Sequence, residues 1–252
     1  MQVQQACAAI TAQLTSSKKA KTKGFAGSGS TKFSVEIPLA DNSPAATLAL
    51  AQEVVQGLPA QLRSQFTIVA AQPASSGKGG SSSSRSSSSS GAAILSLEQC
   101  LREGRQLSGC LLVAGASKQQ IPDVSRLLAR WRGPGAVLLN ADWWSDDYLP
   151  DEHAAYAASF DAIYSFVPLA VKAFISTQQG AVFKYVRSGV PSSVPWRILG
   201  LTGQRWDLVG RMQKRPSGTD IEMAFYNASG AKSPLAAVAK GLRGLIPGQK
   251  KQ

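Results

Sequence analysis

Four small or polar residues follow two apolar runs of strand length and could form a ligand site. Gly115 and Ser117 come after the run 109–114, and Asn140 and Asp142 stand at the end of the run that begins at Ala136. Open α/β sheets bind ligands at the carboxyl ends of parallel strands, and Ser117, which precedes a helical segment, could offer backbone N–H groups to an anion. The competing interpretation is that Ser117 only caps a helix and Asn140 only satisfies turn carbonyls, since neither loop has the several glycines of a dinucleotide-binding loop.

The elements around these residues favour a crevice. Residues 119–131 separate the two apolar runs and have apolar side chains at helical spacing. A strand, a small-residue turn, a helix and a second strand form a βαβ unit, which makes the two strands parallel. Gly115, Ser117, Asn140 and Asp142 are therefore predicted at one edge of the sheet.

The residues that would support catalysis are few. His153 is the only histidine, no Gly-x-Ser-x-Gly segment is present, and Cys7, Cys100 and Cys110 lack metal-ligand spacing. The carboxylates near His153 are more typical of a solvated acidic loop than of a cation site, and they are Asp142, Asp146, Asp147, Asp151 and Glu152. We expect free thiols, no catalytic residue, no bound metal and no cofactor.

Trp143 and Trp144 are candidates for contact with a partner protein. Adjacent residues of an extended segment point to opposite faces, so at most one of these rings enters the core. An exposed tryptophan beside an acidic loop could anchor a protein interface. The alternative is that Trp144 covers the end of the sheet.

The net charge of +12 is the strongest feature of the composition. Neither basic cluster, near the N-terminus or in the last fifth of the chain, is interleaved with aromatic residues, so we expect no specific nucleic-acid binding. The segment Leu235 to Ile246 has the spacing of an amphipathic helix. Its charged side and the following tail form a predicted basic face for a membrane or a partner, made of Lys240, Arg243, Lys250 and Lys251.

Alternating helices and strands up to residue 140 predict a parallel sheet, and four strands punctuated by turns after residue 160 predict an antiparallel one. The predicted fold class is α/β, a three-layer α/β/α-like mixed sheet that is parallel in the N-terminal half and antiparallel in the C-terminal half. Ser43 and Pro44 should open a helix that Gly57 ends. Residues 18–31 should form a loop. We predict one domain over 1–232, with a disordered Ser-rich insertion at 72–91, followed by an amphipathic helix and basic tail at 233–252.

Several short segments, taken in order, resemble a known family. They are Lys32-Phe-Ser-Val-Glu-Ile-Pro38, Val137-Leu-Leu-Asn140 followed by an acidic segment, Phe160-Asp-Ala-Ile-Tyr164, Gly180-Ala-Val-Phe-Lys184, Pro195-Trp196-Arg197 and Lys214-Arg-Pro216. This combination resembles the uncharacterised domain of chloroplast and cyanobacterial proteins typified by Low PSII Accumulation 3, also found appended to a plastid adenylate kinase. The family pattern often has proline after the asparagine, where this chain has Ala141.

The resemblance implies a location in the chloroplast stroma or at the thylakoid periphery, although no transit peptide is visible. It also implies an auxiliary or assembly factor for a thylakoid complex such as photosystem II, acting through a protein partner, with peripheral membrane contact as a further option. The lack of a nucleophile with a base, of a metal cluster and of a phosphate loop in the sequence favours a non-catalytic role. The alternative function is a small-molecule or nucleotide-binding α/β domain, in effect a degenerate enzyme, that uses the crevice at Gly115–Ser117 and Asn140–Asp142.

Overall fold

The computed structural model describes residues 1–22, 31–72, 92–104, 106–144, 149–173 and 176–231. By its internal contacts the chain divides into two compact units. The first unit comprises Met1–Val167 and Phe183–Val194, and the second comprises Pro168–Val182 and Pro195–Gln252.

Helices and strands alternate through the described residues. The helices are α1 (Gln2–Thr22), α2 (Pro44–Gln56), α3 (Ala60–Arg63), α4 (Leu97–Arg102), α5 (Ile121–Arg130), α6 (Asp151–Ala158) and α7 (Gly218–Ala231). The strands are β1 (Lys32–Glu36), β2 (Phe66–Ala70), β3 (Ala93–Ser96), β4 (Cys110–Ala114), β5 (Ala136–Leu139), β6 (Asp161–Ala173), β7 (Ser176–Tyr185), β8 (Trp196–Thr202) and β9 (Arg205–Met212). Their order in the sheet is β3-β2-β4-β5-β1-β6-β7-β8-β9.

In the first unit β1 to β6 pair in parallel. The predicted βαβ unit is confirmed, because β4 and β5 are parallel neighbours joined through α5, with Leu111 opposite Ala136. Strand β1 lies between β5 and β6, so the first of the described strands occupies the interior of the sheet.

Both faces of this parallel sheet are buried. Alternate residues of β4 enter two different apolar clusters: Leu112 joins the cluster that includes α1 and α2, while Leu111 and Val113 join the cluster that includes α4, α5 and α6. Residues such as Val137 and Leu138 divide in the same way on β5. A parallel sheet covered on both faces needs such near-continuous apolar strands. This gives the first unit its three layers.

The second unit contains an antiparallel hairpin. Strands β8 and β9 pair from Trp196 opposite Met212 to Thr202 opposite Arg205, and Gly203 takes a positive φ of 63° in the two-residue turn. Helix α7 packs on one face through Phe225, which is 2% exposed. The predicted fold class, parallel in the N-terminal half and antiparallel in the C-terminal half, is confirmed.

Most predicted boundaries are close to the observed ones. Ser43 caps α2 by accepting a hydrogen bond from the Ala46 amide, Pro44 is the first helical residue, and Gly57 ends the helix. The loop predicted from residue 18 is wrong as far as Thr22, because α1 continues through a run rich in Lys and Ala, which are good helix formers.

Two predicted features lie outside the described residues. They are the Ser-rich insertion, apart from Gln72, and the segment 233–252 with its basic face of Lys240, Arg243, Lys250 and Lys251. The domain boundaries therefore stay a prediction. Of the helices in the described ranges, none has both the length and the apolar content that crossing a bilayer requires.

Candidate functional site at the carboxyl ends of the parallel strands

Asn140 joins β5 to the segment after β1. It is the one described residue other than glycine with a positive φ (48°), a conformation that asparagine tolerates better than most residues. Its Oδ1 accepts a hydrogen bond from the Ile37 amide (2.8 Å), and its Nδ2 donates one to the Ile37 carbonyl (2.7 Å). The side chain thus pairs with a backbone as a neighbouring strand would, and both ends of its amide are used inside the protein.

Ser117 and Gln120 close the loop after β4. The Ser117 amide donates to Gln120 Oε1 (3.0 Å), and Gln120 Nε2 donates to the carbonyl of Ala71 after β2 (2.6 Å). The turn that follows, Lys118–Gln120, is a single turn of 3-10 helix. The Ser117 N–H that could have held an anion is therefore already bonded to a side chain of the same loop.

The structure brings the two predicted loops side by side. The Asp142 amide donates to the Ala116 carbonyl (2.9 Å), and Ser117 forms an isolated parallel bridge with Asp142. Gly115 has a positive φ of 68°, and a Cβ there would lie 3.1 Å from Thr47 Cγ2. Of the four crevice candidates, Asp142 is the one whose side chain is exposed. Whether the crevice holds a ligand stays a prediction.

Trp143 is the centre of an aromatic cluster beneath the Asp142 loop. It is 1% exposed, its Nε1 donates to the Ser117 carbonyl (3.0 Å), and its ring lies edge-on to Phe160 at 5.5 Å between centroids. At this burial the Trp143 ring offers no surface to a partner. Trp144 is half-buried, 6.1 Å from Trp143, and its role as a partner contact stays a prediction.

The other residues considered for chemistry are His153, the acidic residues near it and the three cysteines. His153 Nε2 lies 3.8 Å from Glu152 Oε1 at the start of α6, beside the exposed Asp151. No group of three potential ligands occurs within the described ranges, which omit Asp146 and Asp147. The three cysteines are buried and are not joined in disulfides, and burial raises the pKa of Cys7 to about 11.

Sequence reasoning missed a buried polar cluster on the strands beside this edge. Ser165 on β6 is fully buried, and its Oγ donates to Glu36 Oε2 on β1 (2.6 Å). The Val186 amide, just after β7, donates to the Ile163 carbonyl on β6, and β7, which carries Lys184, is the neighbour of β6 in the sheet. Lys184 is 5% exposed, and desolvation lowers its pKa while the nearby Asp161 carboxylate opposes that change.

A signal for this cluster was present in the sequence. Lys32, Ser34 and Glu36 alternate with apolar residues on β1. Alternation is typical of a strand with one face in water, whereas β1 is an interior strand and Ser34 is 2% exposed. Polar residues on a doubly covered strand must find partners inside the protein, and Glu36 finds Ser165.

A cleft of about 710 Å³ opens at the opposite, amino-terminal ends of β2, β3 and β4. Its polar lining includes Arg63, Gln65, Thr67 and Ser108. Arg63 Nη2 donates to the Leu58 carbonyl (3.2 Å), while its buried Nε has no hydrogen-bond partner within the described residues. This cleft includes none of the four crevice candidates.

The fold and this edge define a mixed α/β domain whose parallel sheet is enclosed by helices on both faces. The chain belongs to the family described as a domain of unknown function (DUF1995), whose model matches residues 1–223. The predicted membership of an uncharacterised domain family is thereby confirmed. No curated protein and no solved structure matches the chain.

Proposed function

We propose that this chain is a non-catalytic binding protein that serves as an auxiliary or assembly factor for a thylakoid complex such as photosystem II. The observation that carries the proposal is that polar side chains at the carboxyl-terminal edge of the parallel sheet are hydrogen-bonded within the protein. There the polar groups of Asn140, Gln120 and the Trp143 indole bond to the protein's own backbone. Groups committed in this way support the fold and are not available to orient a substrate.

The location belongs to the same proposal. Resemblance to chloroplast and cyanobacterial proteins supports a place in the chloroplast stroma or at the thylakoid periphery. The net charge of +12 supports association with acidic protein or with the anionic thylakoid surface.

The test is recovery of partners from chloroplasts. The full chain with a C-terminal affinity tag is expressed in chloroplasts, and proteins that co-purify are quantified against a tag-only control. We expect enrichment of subunits or assembly intermediates of one thylakoid complex. Recovery of no thylakoid subunit above the control would overturn the proposal.

A second candidate, a small-molecule or nucleotide-binding domain, is favoured by one observation. The Ser117 and Asp142 loops do lie side by side, and the Asp142 side chain is exposed. A thermal-shift screen with nucleotides and small anions tests it, with Asp142→Ala as the site variant and Asp123→Ala, which removes an α5 carboxylate, as the control. Stabilisation that Asp142→Ala alone abolishes would replace the binding-protein proposal by this one.

A further inference from the structure

One face of the hairpin in the second unit combines apolar and cationic side chains. In the register of β8 and β9, Arg197 lies opposite Arg211, Leu199 opposite Leu208, and Leu201 opposite Trp206. Residues directly opposite each other in an antiparallel pair project to the same face of the sheet. We call this set the β8–β9 face: Arg197, Leu199, Leu201, Trp206, Leu208 and Arg211.

The other face of the hairpin is the one that α7 covers. A Cβ on Gly200 would lie 3.3 Å from the Phe225 ring, and one on Gly210 would lie 3.3 Å from the Cβ of Ala224. Because neighbouring residues point to opposite faces, Leu199 and Leu201 project away from α7. Trp206 is 39% exposed and Leu208 is 46% exposed. The β8–β9 face therefore presents large apolar side chains to solvent.

The face borders an edge strand. Strand β9 is last in the order of strands, and within the described residues β8 is its only neighbour in the sheet. An edge strand presents unpaired N–H and C=O groups, to which an extended peptide can add as a further strand. The edge supplies backbone hydrogen bonds, and the β8–β9 face supplies contacts for alternate side chains of such a peptide.

The charges on the face indicate what that peptide carries. Arg197 and Arg211 are both exposed and directly opposite each other, an unfavourable like-charge pair. Neither forms a salt bridge within the described residues, whereas Arg205 at the turn is bonded to Asp207 (2.9 Å). A carboxylate placed between two guanidinium groups would relieve the repulsion and form charge-assisted hydrogen bonds.

We propose that the β8–β9 face and the outer edge of β9 bind an extended acidic segment of a partner protein. The segment adds as a strand beside β9, places one or more carboxylates on Arg197 and Arg211, and packs apolar side chains on Trp206 and Leu208. This inference rests on the proposed binding function and names the surface that performs it.

Charge argues against two other occupants. The chain's own residues 232–252 contain five Lys or Arg and no Asp or Glu, so they would add positive charge to the arginine pair. A second copy of this chain, with its net charge of +12, would bring further arginines to the same edge.

Single-stranded nucleic acid is a third possible occupant, and it would require aromatic side chains on which its bases stack. The β8–β9 face has three leucines and only one aromatic ring.

The direct test uses a synthetic probe. The peptide has nine residues, with valine at positions 2 and 4, glutamate at 6 and 8, and threonine elsewhere, and a matched peptide has lysine in place of glutamate. Binding to the full chain is followed by NMR shifts of the β9 amides and by their hydrogen exchange. We expect the glutamate peptide to shift and protect β9 amides, to bind more weakly as salt rises, and to bind at least about tenfold more tightly than the lysine peptide.

Two double variants locate the site. Arg197→Glu with Arg211→Glu should weaken the glutamate peptide about tenfold or more, and Leu208→Lys should also weaken it. Arg102→Glu with Arg130→Glu makes the same change of net charge on exposed helix residues of the first unit and should leave affinity within about twofold. Equal binding by both double variants would overturn the proposal, as would tighter binding of a ten-nucleotide uridine oligomer, of a peptide copying residues 232–252, or of a second copy of the chain.

The same variants separate this inference from the proposed function. If thylakoid subunits co-purify with the wild type and with the control but not with Arg197→Glu, Arg211→Glu, both proposals are supported. If they co-purify equally with all three chains, the chain is a binding protein that uses another surface and this inference is wrong. If none retrieves them, the proposed function fails, while the peptide measurements still decide whether the β8–β9 face binds acidic segments.

Discussion

The carboxyl-terminal edge of the parallel sheet and the β8–β9 face use their polar side chains in opposite ways. At the first, Asn140 and Gln120 are bonded to backbone groups and Trp143 is enclosed by other rings. At the second, Arg197 and Arg211 face solvent together beside a half-exposed tryptophan. Residue types typical of a binding site can thus serve architecture at one place, while a hairpin with no site motif retains the exposed groups that recognition requires.

The two tryptophans provide the largest test of this comparison. Trp143→Ala should lower the free energy of unfolding by about 3–5 kcal/mol, because it removes a fully buried ring from an aromatic cluster. Trp206→Ala, on the β8–β9 face, should cost less than about 1 kcal/mol because the ring is partly in water. Urea unfolding followed by circular dichroism measures both. A smaller loss for Trp143→Ala than for Trp206→Ala would reverse the comparison.

Two substitutions of Asn140 distinguish the contribution of its side-chain amide from that of its backbone conformation. Asn140→Ala should lower the free energy of unfolding by about 2–4 kcal/mol, because it leaves the Ile37 N–H and C=O without partners and places alanine at a positive φ. Asn140→Gly loses the same two hydrogen bonds but tolerates the conformation, so it should be less destabilised than Asn140→Ala. Near wild-type stability in both variants would show that the amide is free for a ligand.

Cys7 tests how completely the helix layer covers the parallel sheet. The buried thiol has its pKa raised from 9.0 to about 11, and Sγ donates to the Val54 carbonyl (3.2 Å). The unfolded thiol ionises first as pH rises, so the contribution of Cys7 to stability is full below about pH 9 and is lost between pH 9 and about 11.

The measurement is the free energy of unfolding of wild type minus that of Cys7→Ala, at intervals between pH 8 and 11. We expect this difference to fall steadily through the window, since Cys100 and Cys110 are common to both chains. A difference that stays constant with pH would mean that the thiol has its ordinary pKa and that the layer admits water.

The smallest effects concern one helix cap in each unit. Ser43 caps α2, and Ser217 Oγ accepts a hydrogen bond from the Asp220 amide at the start of α7 (3.2 Å). Ser43→Ala and Ser217→Ala should each cost about 1 kcal/mol in thermal or urea unfolding. Loss of affinity for the acidic peptide is expected from neither variant, and such a loss in Ser217→Ala would link α7 to the β8–β9 face.

The sequence predicted those helices and strands whose ends are determined by residues close by in the chain. Ser43, Pro44 and Gly57 identified both ends of α2, and the turn residues around 203 separated β8 from β9. The four-residue elements α3 and β3 were missed because so few residues cannot display a period. The parallel pairing of β4 and β5 was predictable because a single helix connects them.

The candidate site depended on contacts that no local pattern encodes. Asn140 bonds to Ile37, 103 residues earlier, so its structural role was only one of two open interpretations. The spacing of Trp143 and Trp144 predicted that at most one is buried, but which one depends on the position of Phe160. The β8–β9 face arises from register, since a bulge near Ile198 brings Leu208 opposite Leu199.

The place of β1 in the sheet has a consequence for synthesis on the ribosome. This strand emerges before both of its neighbours in the sheet, since β5 and β6 begin at residues 136 and 161. More than a hundred further residues must therefore be synthesised before the strands that pair with Phe33 and Val35 exist. Until β5 and β6 have been made, the apolar side chains and backbone groups of β1 have no sheet to join, and such exposed strands are prone to aggregate.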